Sequence, residues 1–129
     1  MLLPCEVAVR SVVPAIRSAI ARELTQSCGL KQKDVAILLG VTQTAVSKYT
    51  RQIRGIVLKV EDIEEVQPIL KEVIASLTKR HMSKYELVER LCTVCRIIRE
   101  KGLMCEICRR SDSSIDVQQC LICRCEGRF

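Results

Sequence analysis

Apolar residues recur along this chain at the three- and four-residue intervals that are typical of helices. In the first stretch they follow Pro14, and Gly29 comes after them as a helix terminator. Pro4 and Pro14 each suit a first helical turn, so the pattern predicts helix over residues 4–28, in one or two pieces. The apolar positions of the second piece are Ile16, Ala19, Ile20 and Leu24.

Two further amphipathic stretches lie in the second half of the chain. The first, residues 61–80, contains Pro68, which we expect either to kink the helix or to begin its second part. The second begins at Ser83, which forms a capping box with Glu86, and ends at Gly102. The two apolar stripes are Ile63, Val66, Ile69, Leu70, Val73, Ile74 and Leu77, and then Leu87, Leu91, Val94 and Ile98. The whole pattern predicts an all-α fold, with residues 55–60 as a turn of strand or a packed linker.

Residues 30–54, LKQKDVAILLGVTQTAVSKYTRQIR, have the features of a helix-turn-helix. Ala36 is small where a second helix would cross, Gly40 permits the turn, and Thr42 offers an N-cap hydroxyl. The apolar positions that would let the two helices pack are Val35, Ala36, Leu39, Val41 and Val46. An ordinary helical hairpin inside a core is the alternative. The combined spacing favours a helix-turn-helix whose second helix enters the major groove of DNA.

The polar residues of this segment are the predicted contacts with double-stranded DNA. Side chains on the recognition helix suit base edges, and those at the start of the first helix suit a phosphate. The arginines that follow the recognition helix suit the flanking backbone. In chain order the predicted DNA-binding residues are Gln32, Lys33, Thr42, Gln43, Thr44, Ser47, Lys48, Arg51 and Arg54.

The distribution of charge agrees with this prediction. Of 129 residues, the first 60 carry nine Lys/Arg and three Asp/Glu, and the remainder carry twelve of each. The net charge of +6 therefore belongs to the half with the helix-turn-helix, as expected if that half meets phosphate. A solvated basic surface is the alternative. Aromatic residues make up only 2% of the chain, which argues against base-stacking RNA or single-strand modules.

We expect a cytoplasmic protein that does not enter a membrane. The opening MLLPCEVAVR lacks the charged leader and long apolar run of a signal peptide, and no apolar run reaches the ~18 residues of a membrane span. Thiols stay mostly reduced in the cytoplasm, so nine cysteines indicate metal or redox chemistry rather than structural disulfides.

Seven of the nine cysteines lie from residue 92 onward, in closely spaced groups. Cys92 and Cys95 share one face of the predicted helix, and Cys105 and Cys120 are expected in loops that fold back over it. The groups are Cys92-x2-Cys95, Cys105-x2-Cys108 and Cys120-x2-Cys123-x-Cys125. This spacing predicts a metal centre, which would order a tail that has few large apolar residues. Cys5 and Cys28 stand apart and are expected to be small buried apolar residues, and His81 is expected on a surface loop.

The nature of the metal is left open between two possibilities. Two C-x2-C pairs would make a tetrahedral, structural zinc site, although such pairs usually lie on turns and not inside a helix. Seven thiols at uneven spacing, drawn from distant segments, suit an iron–sulfur cluster held by four cysteinates. We favour a [4Fe-4S] cluster, with zinc as the alternative. A surplus thiol would suit a redox sensor.

The segment LPCEVAVRSVVPAIRSAIARELTQSCGLKQKDVAILLGVTQTAVSKYTR resembles the start of an archaeal family of predicted XRE-like helix-turn-helix transcriptional regulators. Members begin with an LPCE-type motif and continue LTQxxVAxLLGxTQxAVSxY, and the shorter ones end in a cysteine-rich tail. The resemblance implies iron–sulfur ligation from among five matching positions, Cys92, Cys95, Cys105, Cys120 and Cys123. The chain departs from the family at Lys31-Gln32, at Cys108, where a histidine is common, and in the extra Cys125.

The sequence therefore predicts a homodimeric, sequence-specific DNA-binding regulator without enzymatic activity or a small-molecule substrate. Residues 1–58 would form the helix-turn-helix domain, and residues 59–129 would dimerise and bind the cluster, since such proteins usually contact two half-sites through a two-fold axis. The rivals are an enzyme whose thiols carry sulfur or electrons and a repressor controlled by a protein partner. No nucleotide loop, paired carboxylates or nearby histidine base supports the enzyme, and the cysteine density argues against the protein-controlled repressor.

Overall fold

Helices make up the regular structure in the computed structural model, which describes residues 2–51 and 58–123. In chain order they are α1 (Pro4–Arg10), α2 (Val12–Arg22), α3 (Gln32–Leu39), α4 (Gln43–Thr50), α5 (Gln67–Thr78), α6 (Lys84–Glu100) and α7 (Cys105–Ser111). A π-helical turn, Glu23–Ser27, extends α2, and a 3-10 turn, Val60–Asp62, precedes α5. No strand occurs in these two described ranges, which confirms the all-α prediction.

The predicted helix over residues 4–28 forms in two pieces that divide at Ser11. The backbone there leaves the helical region (φ −129°, ψ −68°), and the Ser11 hydroxyl donates to the Val7 carbonyl at 2.6 Å. Helix α2 then packs against α1, α4 and α6. Its inward side chains are almost completely buried, with Ile16 at 1% and Ile20 at 0% exposure. This helix is therefore the centre of the core.

The turn between α3 and α4 follows the prediction closely. Gly40 adopts the left-handed conformation (φ +67°, ψ +33°), and the next amide, that of Val41, donates to the Ala36 carbonyl at 3.0 Å. Thr42 Oγ1 accepts a hydrogen bond from the Ala45 amide at 3.1 Å and so caps α4. Of the predicted contact positions, Val35, Ala36, Leu39 and Val46 are buried, while Val41 is partly exposed.

The helix predicted for residues 61–80 begins later than its apolar pattern suggests. Ile63 and Val66 are buried, but they belong to a turn that precedes α5. Pro68 is in the first turn of α5, so it begins this helix and does not kink it. The reason is that proline lacks an amide hydrogen, which is not needed in a first turn and is needed further along a helix.

The predicted apolar stripe of α6 packs against other helices of the same chain. Ser83 Oγ accepts from the Glu86 amide at 3.2 Å, as the capping motif predicts. Leu87, Val94 and Ile98 are buried, and the helix packs on α2 and α5. The same core therefore contains buried residues from both predicted domains, and the division into residues 1–58 and 59–129 stays a prediction.

The two ends of the described chain meet. Helix α7 packs on α1, and the Leu2 amide donates to Asp112 Oδ2 at 3.2 Å. Cys105, which we expected in a loop, is instead the first residue of α7. Among the described helices, none is both long and apolar enough to cross a membrane.

Substitution of Gly40 tests the turn between α3 and α4. A Cβ at this position would meet no atom within 4 Å, so Gly40→Ala is strained only through its left-handed backbone. We expect a loss of about 1–2 kcal/mol in the free energy of unfolding by urea, and a smaller loss for Gly40→Asn, because Asn tolerates this conformation better. Equal stability of the alanine variant and the parent would contradict this account of the turn.

Candidate functional site

The outward face of α4 carries the polar side chains predicted to meet DNA. Gln43, Thr44 and Lys48 are exposed and Ser47 is partly exposed, while Val46 on the opposite face is fully buried. The helix is also held from behind, since Ser18 Oγ of α2 donates to the carbonyl oxygen of Tyr49 at 3.0 Å. Helix α4 therefore lies at the surface on a rigid support.

The residues that flank α4 have two different roles. Lys33 and Arg51 are exposed, and Arg54 lies outside the described residues. Gln32 is partly buried, and its Nε2 donates to Thr50 Oγ1 at 3.3 Å, which ties the start of α3 to the end of α4. Thr42 is exposed but uses its hydroxyl to cap α4. Gln32 and Thr42 thus contribute to the shape of the helix pair; the capping role of Thr42 was predicted from the sequence, whereas the structural role of Gln32 was not.

Cations around the helix pair lack carboxylate partners. Within residues 2–51 and 58–123, no ion pair involves Lys33, Lys48 or Arg51. In the second half of the chain, five of the ten described cations form ion pairs with glutamates. The pairs there are Arg90–Glu72, Arg96–Glu100, Lys101–Glu65, Arg109–Glu106 and Arg110–Glu106. The structure therefore leaves positive charge available at the surface of α3 and α4.

Six cysteines of the second half approach one region from three elements. Cys92 and Cys95 lie one turn apart on α6, and Cys105 and Cys108 lie one turn apart on α7. Cys120 and Cys123 follow in the irregular segment after α7, where the Cys120 amide donates to the Asp116 carbonyl at 3.0 Å. Cys125 is outside the described residues.

The tail cysteines surround a small cavity of about 20 Å³. Its walls include Cys105, Cys108, Cys120 and Cys123, which form two C-x2-C pairs. A volume of this order is enough for about one water-sized particle. Cys108 was left out of the predicted ligand set, although its spacing from Cys105 repeats that of Cys120 and Cys123 and could have indicated it.

An open groove lies on the other side of Cys123. Cys92, Cys95 and Cys123 line it together with Val13 and Ile122. Of the five predicted ligands, Cys123 borders both spaces, Cys92 and Cys95 border the groove, and Cys105 and Cys120 border the cavity. The predicted ligand set is thus divided between two neighbouring spaces.

Arg99 of α6 lies between these spaces and connects the thiols. Its Nε donates to Cys123 Sγ at 3.3 Å, and its Nη1 donates to Cys5 Sγ at 3.8 Å. Burial of the guanidinium lowers the pKa of Arg99, but its interactions with Cys123 and Cys5 outweigh burial, so the pKa is raised overall. Cys5 therefore belongs to the cysteine region, which its isolated position in the sequence did not indicate.

The expectation that Cys5 and Cys28 are buried apolar residues is wrong, because both are exposed. Cys5 occupies the first turn of α1, and that turn meets the tail instead of the core. Cys28 lies at the end of the π-helical turn, where its Sγ accepts from Thr78 Oγ1 at 3.9 Å. His81 is exposed, as expected.

Burial alters the acidity of two thiols in this region. It raises the pKa of Cys95, an effect that Arg99 opposes. Burial also raises the pKa of Cys108, and ionisation of the neighbouring thiols Cys123, Cys105 and Cys120 would raise it further. These thiols favour the protonated form unless a cation reaches them, because a metal ion stabilises thiolate.

The donor chemistry of the region suits a soft metal, since thiolates are the ligands of zinc and of iron–sulfur clusters. In the described residues, no group of three or more Cys, His, Asp or Glu side chains is arranged so that it could hold a metal ion. The cysteines therefore lie near Arg99 but do not form a metal coordination sphere.

Comparison of the chain with protein-family models, curated proteins and solved structures finds no match. The resemblance to archaeal regulators therefore rests on the sequence motifs alone.

Thiol labelling tests the geometry of the cysteine region. In reduced, metal-free protein we expect iodoacetamide to modify exposed Cys28 and Cys92 quickly. Cys95 and Cys108 should react more slowly at neutral pH, and their rates should continue to rise at higher pH, because their raised pKa values shift the formation of reactive thiolate upward in pH. Peptide mass spectrometry after short pulses at several pH values measures each rate. Equally fast labelling of Cys108 and Cys28 at neutral pH would contradict the described burial.

Proposed function

We propose that the protein is a sequence-specific, DNA-binding transcriptional regulator with a cysteine-ligated metal centre. The observation that carries this proposal is the surface of α4, where outward polar side chains are flanked by cations without carboxylate partners. Burial of Val46 and the hydrogen bond from Ser18 fix the back of the helix, so its front is available to a partner. The partner best suited to such a face is the major groove of duplex DNA.

In this proposal α3 and α4 act as a helix-turn-helix, and α4 is the recognition helix. Gln43 is at the first position of α4, and its amide can both donate to and accept from adenine. Thr44, Ser47 and Lys48 extend the contact along the groove. Lys33 and Arg51 bind phosphates on either side, which fixes position without selecting sequence.

A homodimer would place two recognition helices on two half-sites. The apolar stripe of α6 is buried within the chain, so a dimer contact has to involve other residues of the C-terminal helices. Tyr85 and Val88 of α6 are 81% and 52% exposed, and their spacing places them next to each other on the outer face of the helix. We place the dimer contact at this outer face of α6.

For the metal centre we favour a [4Fe-4S] cluster bound by four of the cysteines, with Cys92, Cys95, Cys105, Cys120 and Cys123 as the predicted set. A structural zinc ion is the second candidate. It is supported by the two C-x2-C pairs around the small cavity, since four thiolates at one small space match the donor set of a tetrahedral zinc site.

The cluster would control DNA binding through α6. This helix carries Cys92 and Cys95, packs on α2, and α2 in turn supports α4. Loss or oxidation of a cluster held by α6 would change the spacing between the two recognition helices of a dimer. A coupling of about 1–3 kcal/mol gives a 5–150-fold change in affinity, which is enough for regulation.

Substitutions on α4 test the DNA interface. We expect Gln43→Ala and Ser47→Ala to relax base preference, each at a cost of about 1–3 kcal/mol if a good base contact is lost. We expect Arg51→Ala to weaken binding to all sequences and to lower the salt slope by about 1, because one phosphate contact is removed. Selection from random-sequence duplexes, followed by titrations at several salt concentrations, measures both effects.

Lys71→Ala is the matched control, because Lys71 is an exposed cation of α5, outside both the proposed DNA interface and the proposed dimer contact. It should leave both base preference and salt slope unchanged. Operator discrimination that survives Gln43→Ala would refute the assignment of α4 as the recognition helix.

Removal of the metal tests the proposed control of binding. Protein purified without oxygen should contain iron and sulfide and show the visible absorbance of a cluster, which zinc lacks. At equal salt, holo-protein and metal-stripped protein should differ in operator affinity by about 5- to 150-fold. Identical affinities would dismiss the sensor, and zinc without iron would favour the structural alternative.

A further inference from the structure

We propose that Cys108 and Cys123 form a disulfide when the metal-free protein is oxidised by hydrogen peroxide. This inference goes beyond the proposed function, because it requires neither DNA nor a metal ion. It assigns a modification site to two thiols that line the small cavity between α7 and the segment that follows it.

The arrangement of the cysteines favours chemistry between two thiols. Among residues 2–51 and 58–123, no three Cys, His, Asp or Glu side chains are placed so that they could hold a metal ion. Four thiols nevertheless line one cavity of about 20 Å³, which has room for about one water-sized particle. A space of this size keeps the sulfurs on its walls close to one another, and a disulfide needs only two of them.

Helix geometry disfavours a disulfide inside α7. Side chains three residues apart on a helix have Cβ atoms about 5–6 Å apart, whereas a disulfide joins Cβ atoms about 3.5–4.5 Å apart. Cys105 and Cys108 are three residues apart on α7, so a bond between them would require this helix to unwind. The partner of Cys108 is therefore expected in the segment after α7, which also lines the cavity.

Cys123 is the thiol of that segment best placed to react with Cys108. Cys108 is a buried member of the core, and the partly buried Cys123 packs against this core. Of the three neighbouring thiols whose ionisation would act on Cys108, Cys123 has the largest effect and Cys120 the smallest. The hydrogen bond from Arg99 Nε, at 3.3 Å, holds the Cys123 sulfur in this position.

The two thiols differ in their access to solvent, and this difference sets the order of reaction. Cys123 borders the open groove, whose volume of about 810 Å³ admits a small solute, as well as the cavity. Cys108 is buried and lines the cavity but not the groove. A peroxide therefore reaches Cys123 first, and Cys108 is sheltered behind it.

The reaction proceeds in two displacements. The Cys123 sulfur attacks one oxygen of hydrogen peroxide, so an S–O bond forms and the O–O bond breaks. The departing hydroxide takes the proton of the Cys123 thiol and leaves as water. The Cys108 sulfur then attacks the sulfenic sulfur, an S–S bond forms, and the hydroxyl group leaves as water with the proton of Cys108. Two thiols thus lose two electrons in total, and one peroxide is reduced to two waters.

The disulfide would change how the end of the described chain is held. It would join α7 to the following segment and close a loop over residues 108–123. It would also occupy Cys123, one of the predicted metal ligands, so the disulfide and a metal bound at this thiol exclude each other. Because α7 packs on α1 and α1 packs on α2, the closed loop adjoins the core that supports α4.

Peptide mapping of the full-length protein tests this pair. The protein is reduced, freed of metal with a chelator, and treated with one equivalent of hydrogen peroxide, and the remaining thiols are blocked with iodoacetamide. Trypsin should place Cys105 and Cys108 in the peptide 102–109, and Cys120 and Cys123 in the peptide 111–124. We expect these two peptides to be joined until a reductant is added, and fragmentation should find the blocking group on Cys105 and Cys120.

Serine variants provide the matched comparison. Cys123→Ser should lose the link between the two peptides, whereas Cys120→Ser should keep it, because Cys120 lines the same cavity and lies in the same peptide. A link within either peptide, a link through another cysteine or between two copies of the chain, or oxidation without any disulfide would each overturn the proposal. The map of the parent protein decides this without the variants, and its result is independent of DNA binding and of the metal content of protein purified without oxygen.

Discussion

Burial of α2 is the interaction on which the other elements depend. Its inward side chains pack against α1, α4 and α6, and Val12, Ile16 and Ile20 are at most 1% exposed. Each such side chain contributes about 1.5–3 kcal/mol of hydrophobic stabilisation relative to an exposed one. Because α4 and α6 pack on the same helix, the polar face of α4 and the cysteines of α6 have fixed relative positions. Any change that moves one of these helices on α2 has to be transmitted through this packing.

The second organising feature is the separation of charge. In the described residues, glutamates of the second half form ion pairs with Arg90, Lys101 and Arg109, whereas Lys33, Lys48 and Arg51 form none. Exposed ion pairs contribute little to stability, but they cancel the local electrostatic field. Cations without an ion-pair partner therefore remain at the surface of α3 and α4, which is the surface that the proposed function requires to meet DNA.

The cysteine region combines hydrophobic burial with a permanent positive charge. Cys108 and Cys95 are drawn toward the protonated state by burial, and Arg99 opposes this tendency at Cys95 through its charge and hydrogen bonds. A guanidinium among thiols supplies the type of hydrogen bond that orients metal-bound sulfur. The region therefore keeps several thiols near one guanidinium, although no three of the described cysteines are arranged to hold a metal ion.

Local features of the sequence determined the turn between α3 and α4 and the starts of α4 and α6. The hydroxyls of Thr42 and Ser83 cap α4 and α6, and Gly40 makes the turn, because each of these effects acts over three or four residues. The outward position of Gln43 follows from the same periodicity. Only the tertiary structure decided that Pro68 begins α5, that the stripe of α6 is used within the chain, and that Gln32 bonds to Thr50. Only the packing of α1 on α7 brings Cys5 to Arg99, 94 residues away, since no local pattern records which distant surfaces bury each other.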